Sequence, residues 1–274
     1  MKRTLAILIV LVALCMALGS GAALASDNPA VSILQRSVET MGQLSSVAVE
    51  GTLTIGIEGL LNTAVYDAFS AKLFMDPLKG HMLFQAMGVK FEAYFEELDG
   101  TLYLYEQSGS RWHAQTLDVD LSAATELEPA ELVAFLDSIE GLGIEGTEQI
   151  GGKEAWKMSA AINLREFVGQ EEIEEAVGQV MGVPAMGIFP PYEPVPARIY
   201  AFVEGDTGHL LRMEIDLSQF ASDMLTRLTP TQPGMTSAAL VAEVKIALDF
   251  MDFDAVPDFE IPPEAKMQSE ARVQ

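Results

Sequence analysis

The sequence predicts an α+β protein, mostly β, built on a long antiparallel sheet with one apolar face and helices packed on that face. Two observations support this. Residues 47–116 read as six strands joined by tight turns. In the first strand Val49, Leu53 and Ile55 occupy one side, with Glu50 and Thr52 between them. This alternation is typical of an antiparallel sheet covered on one side, and so long a one-sided sheet must curl around something.

Turn signals separate the six strands. Asp76-Pro77 opens one turn, since proline presets φ, and Asp99-Gly100 marks a hairpin tip. Between these two turns, Phe91 and Phe95 repeat the apolar alternation of the first strand. The strands are predicted at Val47–Glu58, Ala64–Met75, Gly80–Met87, Val89–Glu97, Thr101–Gln107 and Arg111–Thr116.

Helices are predicted before and after this group of strands. Asp27 or Asn28 can cap a first helix with Pro29 at its first position, and an apolar stripe runs on to Leu44. A second helix opens at Glu128, a third is capped by Asn163, and Ser218–Leu228 forms a short fourth. Further strands are predicted at Ile144–Ile150, Lys153–Ile162, Arg198–Glu204, His209–Leu217 and Ala238–Phe253, followed by a terminal tail at Asp258–Ala265.

The first 25 residues have the pattern of a secretory signal peptide. Lys2 and Arg3 precede an apolar core, and Ala23-Leu24-Ala25 offers small residues for cleavage before Ser26. The alternatives are a retained anchor, for which the apolar run is short, and lipidation at Cys15, which lacks a small residue before it. We therefore expect residues 26–274 to form one exported domain, periplasmic or secreted, with no stable transmembrane anchor after processing.

Composition limits the classes of partner. The chain carries 16 basic and 40 acidic residues, a formal net charge of −24. Nucleic acid and anionic lipid surfaces would repel such a chain. The one cysteine lies in the leader, so a mature chain has no disulfide and depends on a hydrophobic core.

Sequence motifs for catalysis are lacking. His81, His113 and His209 lie on separate predicted hairpins without metal-ligand spacing, so we predict no metal site and no cofactor. The chain contains no G-x-S-x-G elbow and no phosphate-binding loop. We expect a protein that is not an enzyme, although a hydrolase with a scattered triad stays open.

A concave apolar face suits a small hydrophobic ligand. Candidate cavity residues follow from the alternation alone, and an ordinary core is an equally good interpretation of them. A proline-rich segment, Val183–Pro196, is predicted to fold over the sheet as a lid. The cavity candidates are Leu53, Ile55, Phe84, Phe91, Phe95, Trp156 and Met158, and the lid candidates are Met186, Ile188, Phe189 and Tyr192.

The order of elements resembles a known family. The residues that carry the resemblance are Met41–Ser46, Asp76–Lys79, Leu102–Tyr105 with Arg111-Trp112, Gly151–Trp156, Ile199–Val203 and Phe259–Ala265. In this order and spacing the chain resembles the Lol-like superfamily of outer-membrane lipoprotein carriers, receptors and lipid-carrying lipoproteins. The resemblance covers nearly the whole mature chain. It implies a curved, open half-barrel of about eleven antiparallel strands, with helices plugging an apolar cavity for acyl chains.

Two functions from different classes follow. The first is a non-enzymatic carrier or binder of lipid or acylated protein in the cell envelope. The second is a structural or regulatory envelope module that binds a protein partner and fills the cavity with its own helices. A lipid that co-purifies with the protein would separate them.

Overall fold

A computed structural model describes residues 26–58, 61–86, 89–109, 111–117, 136–137, 139, 141–163, 195–228 and 241–270. In these residues the chain forms eleven strands and three helices, which follow the order α1, β1–β10, α2, β11, α3. The helices are α1 (Pro29–Met41), α2 (Ser218–Leu228) and α3 (Pro263–Glu270). The strands are β1 (Ser46–Ile57), β2 (Leu61–Met75), β3 (Leu78–Ala86), β4 (Val89–Leu98), β5 (Thr101–Ser108), β6 (Arg111–Leu117), β7 (Gly143–Ile150), β8 (Lys153–Asn163), β9 (Pro196–Glu204), β10 (Leu210–Asp216) and β11 (Ala242–Met251).

The described strands form one antiparallel sheet made of two meanders. Its order is β6-β5-β4-β3-β2-β1-β11-β10-β9-β8-β7. The first meander runs outward from β1, the second runs inward to β11, and these two strands pair at the centre of the sheet. The sheet stays open, with β6 and β7 at its edges. This is the open antiparallel architecture of about eleven strands that the resemblance implied, and that prediction is confirmed.

The sheet has two ends, which we name for β1. The lower end, where β1 begins, holds the turns at 76–77, 99–100, 151–152 and 205–207. The upper end, where β1 ends, holds both junctions of the connection 164–195 and of the β10–β11 connection, and the junction of 118–142 with β7. The connection 118–142 starts at the lower end, because Leu117 at the end of β6 pairs with Leu102 beside the 99–100 turn, and it reaches β7 at the upper end.

Helix α1 packs on one face of the sheet, which we call the inner face. Asn28 caps it, because its Oδ1 accepts a hydrogen bond from Ala30 N at 3.0 Å. Ala30 and Met41 of α1 belong to the same buried cluster as Val49 of β1. The helix crosses the second meander from the upper end, where Asn28 Nδ2 donates to the carbonyl of Leu142, toward the lower end.

At that lower end α1 is fixed to the turn between β9 and β10. Arg36 donates to the carbonyls of Gly205 and Asp206, and Thr40 Oγ1 donates to the carbonyl of Thr207. The helix therefore takes its position from both ends of the second meander.

Helix α2 completes the edge of β11 beyond the end of β10. Strand β10 pairs with β11 only as far as Asp216 and Lys245. Past that point, Val244 N donates to Ser218 Oγ at 3.1 Å and Ala242 N donates to Ser222 Oγ at 2.8 Å. Two serine hydroxyls of the helix thus satisfy backbone donors that would otherwise lack a strand partner.

Residues 256–270, which we call the C-terminal strap, cross the opposite, outer face of the first meander. Ile261 and Ala265 are buried with Tyr94, Tyr105 and Trp112. The sequence predicted a terminal tail at Asp258–Ala265. Residues 258–262 have no regular secondary structure, but Pro263–Glu270 is helical, which the sequence did not predict. Proline suits the first position of a helix, so Pro263 starts α3.

Most other element predictions are confirmed. The six strands of the first meander agree to within three residues at each end, and so do the hairpin of β7 and β8 and the helix Ser218–Leu228. The final strand is shorter than predicted within the described residues and spans Ala242–Met251. Residues 1–25, and nearly all of the second and third predicted helices, lie outside the described residues.

Asp254 joins the strap's base to the junction of α1 and β1. Its Oδ1 accepts hydrogen bonds from Ser45 Oγ at 2.7 Å and Ser45 N at 2.6 Å. These bonds hold the pKa of Asp254 below its usual value. The ionised carboxylate therefore stabilises the fold above the unfolded-state pKa of about 3.9, and this contribution disappears as the pH falls through the lower folded-state pKa.

We expect Asp254→Asn to lower stability at neutral pH, because a neutral amide replaces the ionised acceptor. The difference from wild type should shrink as the pH falls below about 4, since wild type then loses the same charge. Urea unfolding of both proteins across this pH range measures it. A stability difference that is constant with pH would contradict a role for the ionised carboxylate.

Candidate functional site

Residues that pair across neighbouring strands form rows of side chains on the inner face. The rows nearest the lower end are buried in the core. One row consists of Phe250, Val49, Ala71, Met82 and Ala93 on β11, β1, β2, β3 and β4. All five side chains are buried. This lower row leaves no room on the inner face for a ligand.

The next row upward opens to solvent. It consists of Leu248, Gly51, Phe69, Phe84 and Phe91 on the same five strands. Leu248 is buried, Phe69 and Phe91 are half-buried, and Phe84 is 37% exposed. This middle row therefore marks the change from core to accessible apolar surface.

The upper row is aliphatic and half-buried throughout. It consists of Ile199, Ile215, Ile246 and Leu53 on β9, β10, β11 and β1. Ile55 lies one row higher on the same face of β1 and pairs with Val244. The upper row, Ile55 and the aromatic side chains of the middle row form one accessible apolar surface, which we call the open half of the inner face.

Two glycines on the inner face are covered by phenylalanine rings of neighbouring strands. A Cβ atom at Gly51 would lie 2.5 Å from Cδ1 of Phe69, and one at Gly80 would lie 2.1 Å from Cζ of Phe95. Both distances are shorter than van der Waals contact. Each ring therefore occupies the space that a side chain on the adjacent strand would fill.

All seven predicted cavity residues lie on the inner face, but they do not form one site. Leu53, Ile55, Phe84 and Phe91 belong to the open half. The remaining three lie elsewhere, in the core or at the lower end.

Phe95 and Met158 are each 1% exposed and belong to the main core cluster. Trp156 is 39% exposed and lies toward the lower end of β8, beside Gly205. Phe95 and Met158 therefore lie in the core of the fold.

Sequence reasoning missed part of the open half. Ile199, Ile215, Ile246 and Phe69 lie in it but were not candidates. The signal was available, since Ile199 and Ile215 alternate with Arg198 and Glu214 in their own strands. Which residues face each other across strands, however, depends on the register, and the sequence does not reveal it.

Beyond β4 the lower row continues with polar side chains. Ala93 pairs with Glu106 of β5, which pairs with His113 of β6. Glu106 is half-buried and His113 is exposed. The lower row therefore ends in polar side chains on β5 and β6, one row below Phe91.

The outer face beneath the open half is charged. Arg212 makes a bidentate ion pair with Asp249, with Nε–Oδ1 and Nη2–Oδ2 distances of 2.6 and 2.9 Å. These hydrogen bonds raise the pKa of Arg212. At the open half the sheet is thus apolar on its inner side and polar on its outer side, as the alternation predicted.

The β8–β9 connection contains the lid candidates, and its two ends are paired with each other. Asn163 pairs with Pro196, and Asn163 Oδ1 accepts a hydrogen bond from Val195 N at 3.0 Å. Val195 is buried. Met186, Ile188, Phe189 and Tyr192 themselves lie outside the described residues.

In the part of the chain that the structure describes, no three His, Cys, Asp or Glu side chains are grouped as metal ligands would be. Among the described helices, none is both long enough and apolar enough to cross a bilayer.

The chain matches no protein-family model and no curated protein. Its fold is similar to solved structures at low sequence identity. Lipoprotein LppX of Mycobacterium tuberculosis is 14% identical over 86% of this chain and all of its own, with a TM-score of 0.47. LprF of Mycobacterium bovis is 14% identical over 85% of this chain and 96% of its own, with a TM-score of 0.42. The MucA/MucB complex of Pseudomonas aeruginosa is 14% identical over 86% of this chain and 62% of the matched chain, with a TM-score of 0.31.

Proposed function

We propose that the protein is an exported, non-enzymatic binder or carrier of hydrophobic ligands in the cell envelope. The ligand class is the acyl chain of a lipid or of an acylated protein. The observation that carries the proposal is the gradient on the inner face, from a buried lower row to the half-buried Ile199, Ile215, Ile246 and Leu53. A core meant only for stability would bury this row as fully as the one below it.

The chemistry of the open half fits an acyl chain. Its side chains are branched aliphatics on β9, β10, β11 and β1, and phenylalanine rings on β2, β3 and β4. Such a surface gains about 0.8 kcal/mol for each methylene group that it removes from water. Useful affinity would therefore need few polar contacts.

The lid forms a second part of the proposal. The β8–β9 connection leaves and rejoins the sheet at Asn163 and Pro196, at the upper end beside Ile199. We propose that Met186, Ile188, Phe189 and Tyr192 close over the open half. Limited proteolysis within residues 183–194 that does not change when lipid is bound would contradict a lid.

The signal-peptide pattern indicates the compartment in which the protein would act. The leader-like residues 1–25, with cleavage before Ser26, support a periplasmic or secreted protein. Both compartments bring the protein close to lipids and acylated proteins.

The experiment that tests the function is native mass spectrometry of residues 26–274, purified from the envelope without detergent. A bound mass that is released as lipid is the expected result, and it would identify the ligand class. A ligand-free mass, in a protein that also takes up no added fatty acid or phospholipid, would overturn the proposal.

A charge placed in the open half should abolish binding. We expect Ile246→Glu to weaken fatty-acid binding by at least about tenfold, because a bound chain would leave the carboxylate without water. The matched control is Thr54→Glu on the outer face of β1, opposite Lys245, which should bind as wild type does. Equal loss in both variants, measured by displacement of a fluorescent apolar dye, would contradict the assignment of the site to the inner face.

One observation favours the alternative function, a partner-binding envelope module. Helix α1 already covers the lower part of the inner face with residues such as Met41, so the chain fills part of its own concavity. In that case the protein binds no lipid, and the mass spectrum shows only the ligand-free chain.

A further inference from the structure

The middle row contains a structural feature that bears on ligand specificity. Gly51 stands between Val49 and Leu53 on the inner side of β1, where a side chain would be expected. The ring of Phe69 takes this space from the neighbouring strand, with Leu248 on the other side. A Cβ at Gly51 would lie 2.5 Å from Phe69 Cδ1 and 3.2 Å from Leu248 Cδ2.

The backbone of β2 changes register at this position. Gly51 pairs with Phe69, but Thr52 pairs with Asp67, so the pairing skips one residue, Ala68. Such a bulge bends the strand and changes the direction of the neighbouring side chain. Phe69 is the residue next to the bulge, and its ring lies across Gly51.

The ring also lies at the lower limit of the open half. Directly below it, Val49 and Ala71 are buried, whereas Leu53 above it is half-buried. An apolar chain that enters from the upper end would therefore meet the ring of Phe69 before it reaches the core.

We propose that the ring of Phe69, seated on Gly51, is the floor of the site and sets the length of acyl chain that the protein accepts. This inference rests on the proposed function and adds a specificity-determining pair of residues to it. A longer chain would have to displace the ring from Gly51 or leave its own end in water.

Two substitutions should move the floor in opposite directions. Phe69→Ala removes the ring and leaves an empty space beside Gly51, so the favoured chain should become longer. Each further methylene group that fits into this space should raise the affinity for the fatty acid about fourfold. Gly51→Ala forces the ring upward into the site, so the favoured chain should become shorter.

Phe95 on Gly80 provides the matched control. It repeats the same arrangement of ring and glycine, but it is 1% exposed and lies in the core. Phe95→Leu should lower the stability of the fold and leave the preferred chain length unchanged. It therefore separates a floor from a general effect of loosening the packing.

The test measures binding of a homologous series of saturated fatty acids to wild type and to the three variants, by displacement of a fluorescent apolar dye. The expected result is a longer optimum for Phe69→Ala, a shorter one for Gly51→Ala and no shift for Phe95→Leu. Wild-type binding with the same optimum in all variants would overturn the floor alone, and so would an equal shift in Phe95→Leu. If wild type binds no fatty acid, the proposed function and the floor are both overturned.

Discussion

Replacement of Phe95 by alanine is expected to lower the free energy of unfolding by about 3–5 kcal/mol. The side chain is 1% exposed and belongs to the main core cluster. Its ring covers Gly80 on β3 and pairs with Leu104 on β5. Because Gly80 has no side chain, the backbone of β3 would border the cavity that the substitution leaves.

Phe84→Ala is the matched control. Phe84 lies on the same face of the same sheet, but it is 37% exposed, so its removal should cost less than about 1.5 kcal/mol. Urea unfolding followed by far-ultraviolet circular dichroism measures both variants. Similar losses at the two positions would contradict the division of the inner face into a closed core and an open half.

The difference between these two phenylalanines shows what sequence pattern can and cannot reveal. Alternation identified Phe84, Phe91, Phe95, Leu53 and Ile55 as residues of one face, and the structure agrees. Pattern alone could not separate Phe95 from Phe84. That separation depends on long-range packing, because Phe95 belongs to the core cluster that includes Met41 of α1, whereas Phe84 lies nearer the upper end of the sheet.

Long-range packing also explains the C-terminal helix, which the sequence did not predict. The sequence Asp258–Ala265 has two adjacent prolines and little periodicity, which favoured a tail. In the structure its order comes from residues far away in the chain. Phe259 lies among Phe74, His81 and Tyr94 on the outer face, and α3 packs against β6.

The strap depends on a lysine that reaches a buried carboxylate. Lys266 Nζ lies 2.7 Å from Glu96 Oε1 and 2.8 Å from Oε2. Glu96 is otherwise enclosed, and the hydroxyl of Tyr105 donates to its Oε1 at 2.9 Å. Burial, together with this hydrogen bond to Glu96, raises the pKa of Tyr105. Removal of the lysine would therefore leave a mostly buried carboxylate with Tyr105 as its one remaining partner among the described residues.

Lys266→Ala is accordingly expected to lower the free energy of unfolding by about 1–3 kcal/mol, the cost of an unsatisfied buried polar group. The strap should also loosen from the outer face. Trp112, which is buried with Ile261 and Ala265 of the strap, should then become more accessible to a fluorescence quencher. Since Trp156 is already 39% exposed, the increase in quenching can be assigned to Trp112 by repeating the measurement in a Trp156→Phe background.

The other ion pair of the strap supplies the control. Lys79 Nζ lies 2.9 Å from Asp258 Oδ1, but the side chain of Asp258 is 81% exposed. An exposed pair contributes about 0–1 kcal/mol, so Asp258→Asn should change stability little and leave Trp112 protected. If the two variants lose equal stability, burial of Glu96 is not what makes the Lys266 contact important. If Lys266→Ala leaves both stability and quenching unchanged, the contact between Lys266 and Glu96 does not hold the strap on the sheet.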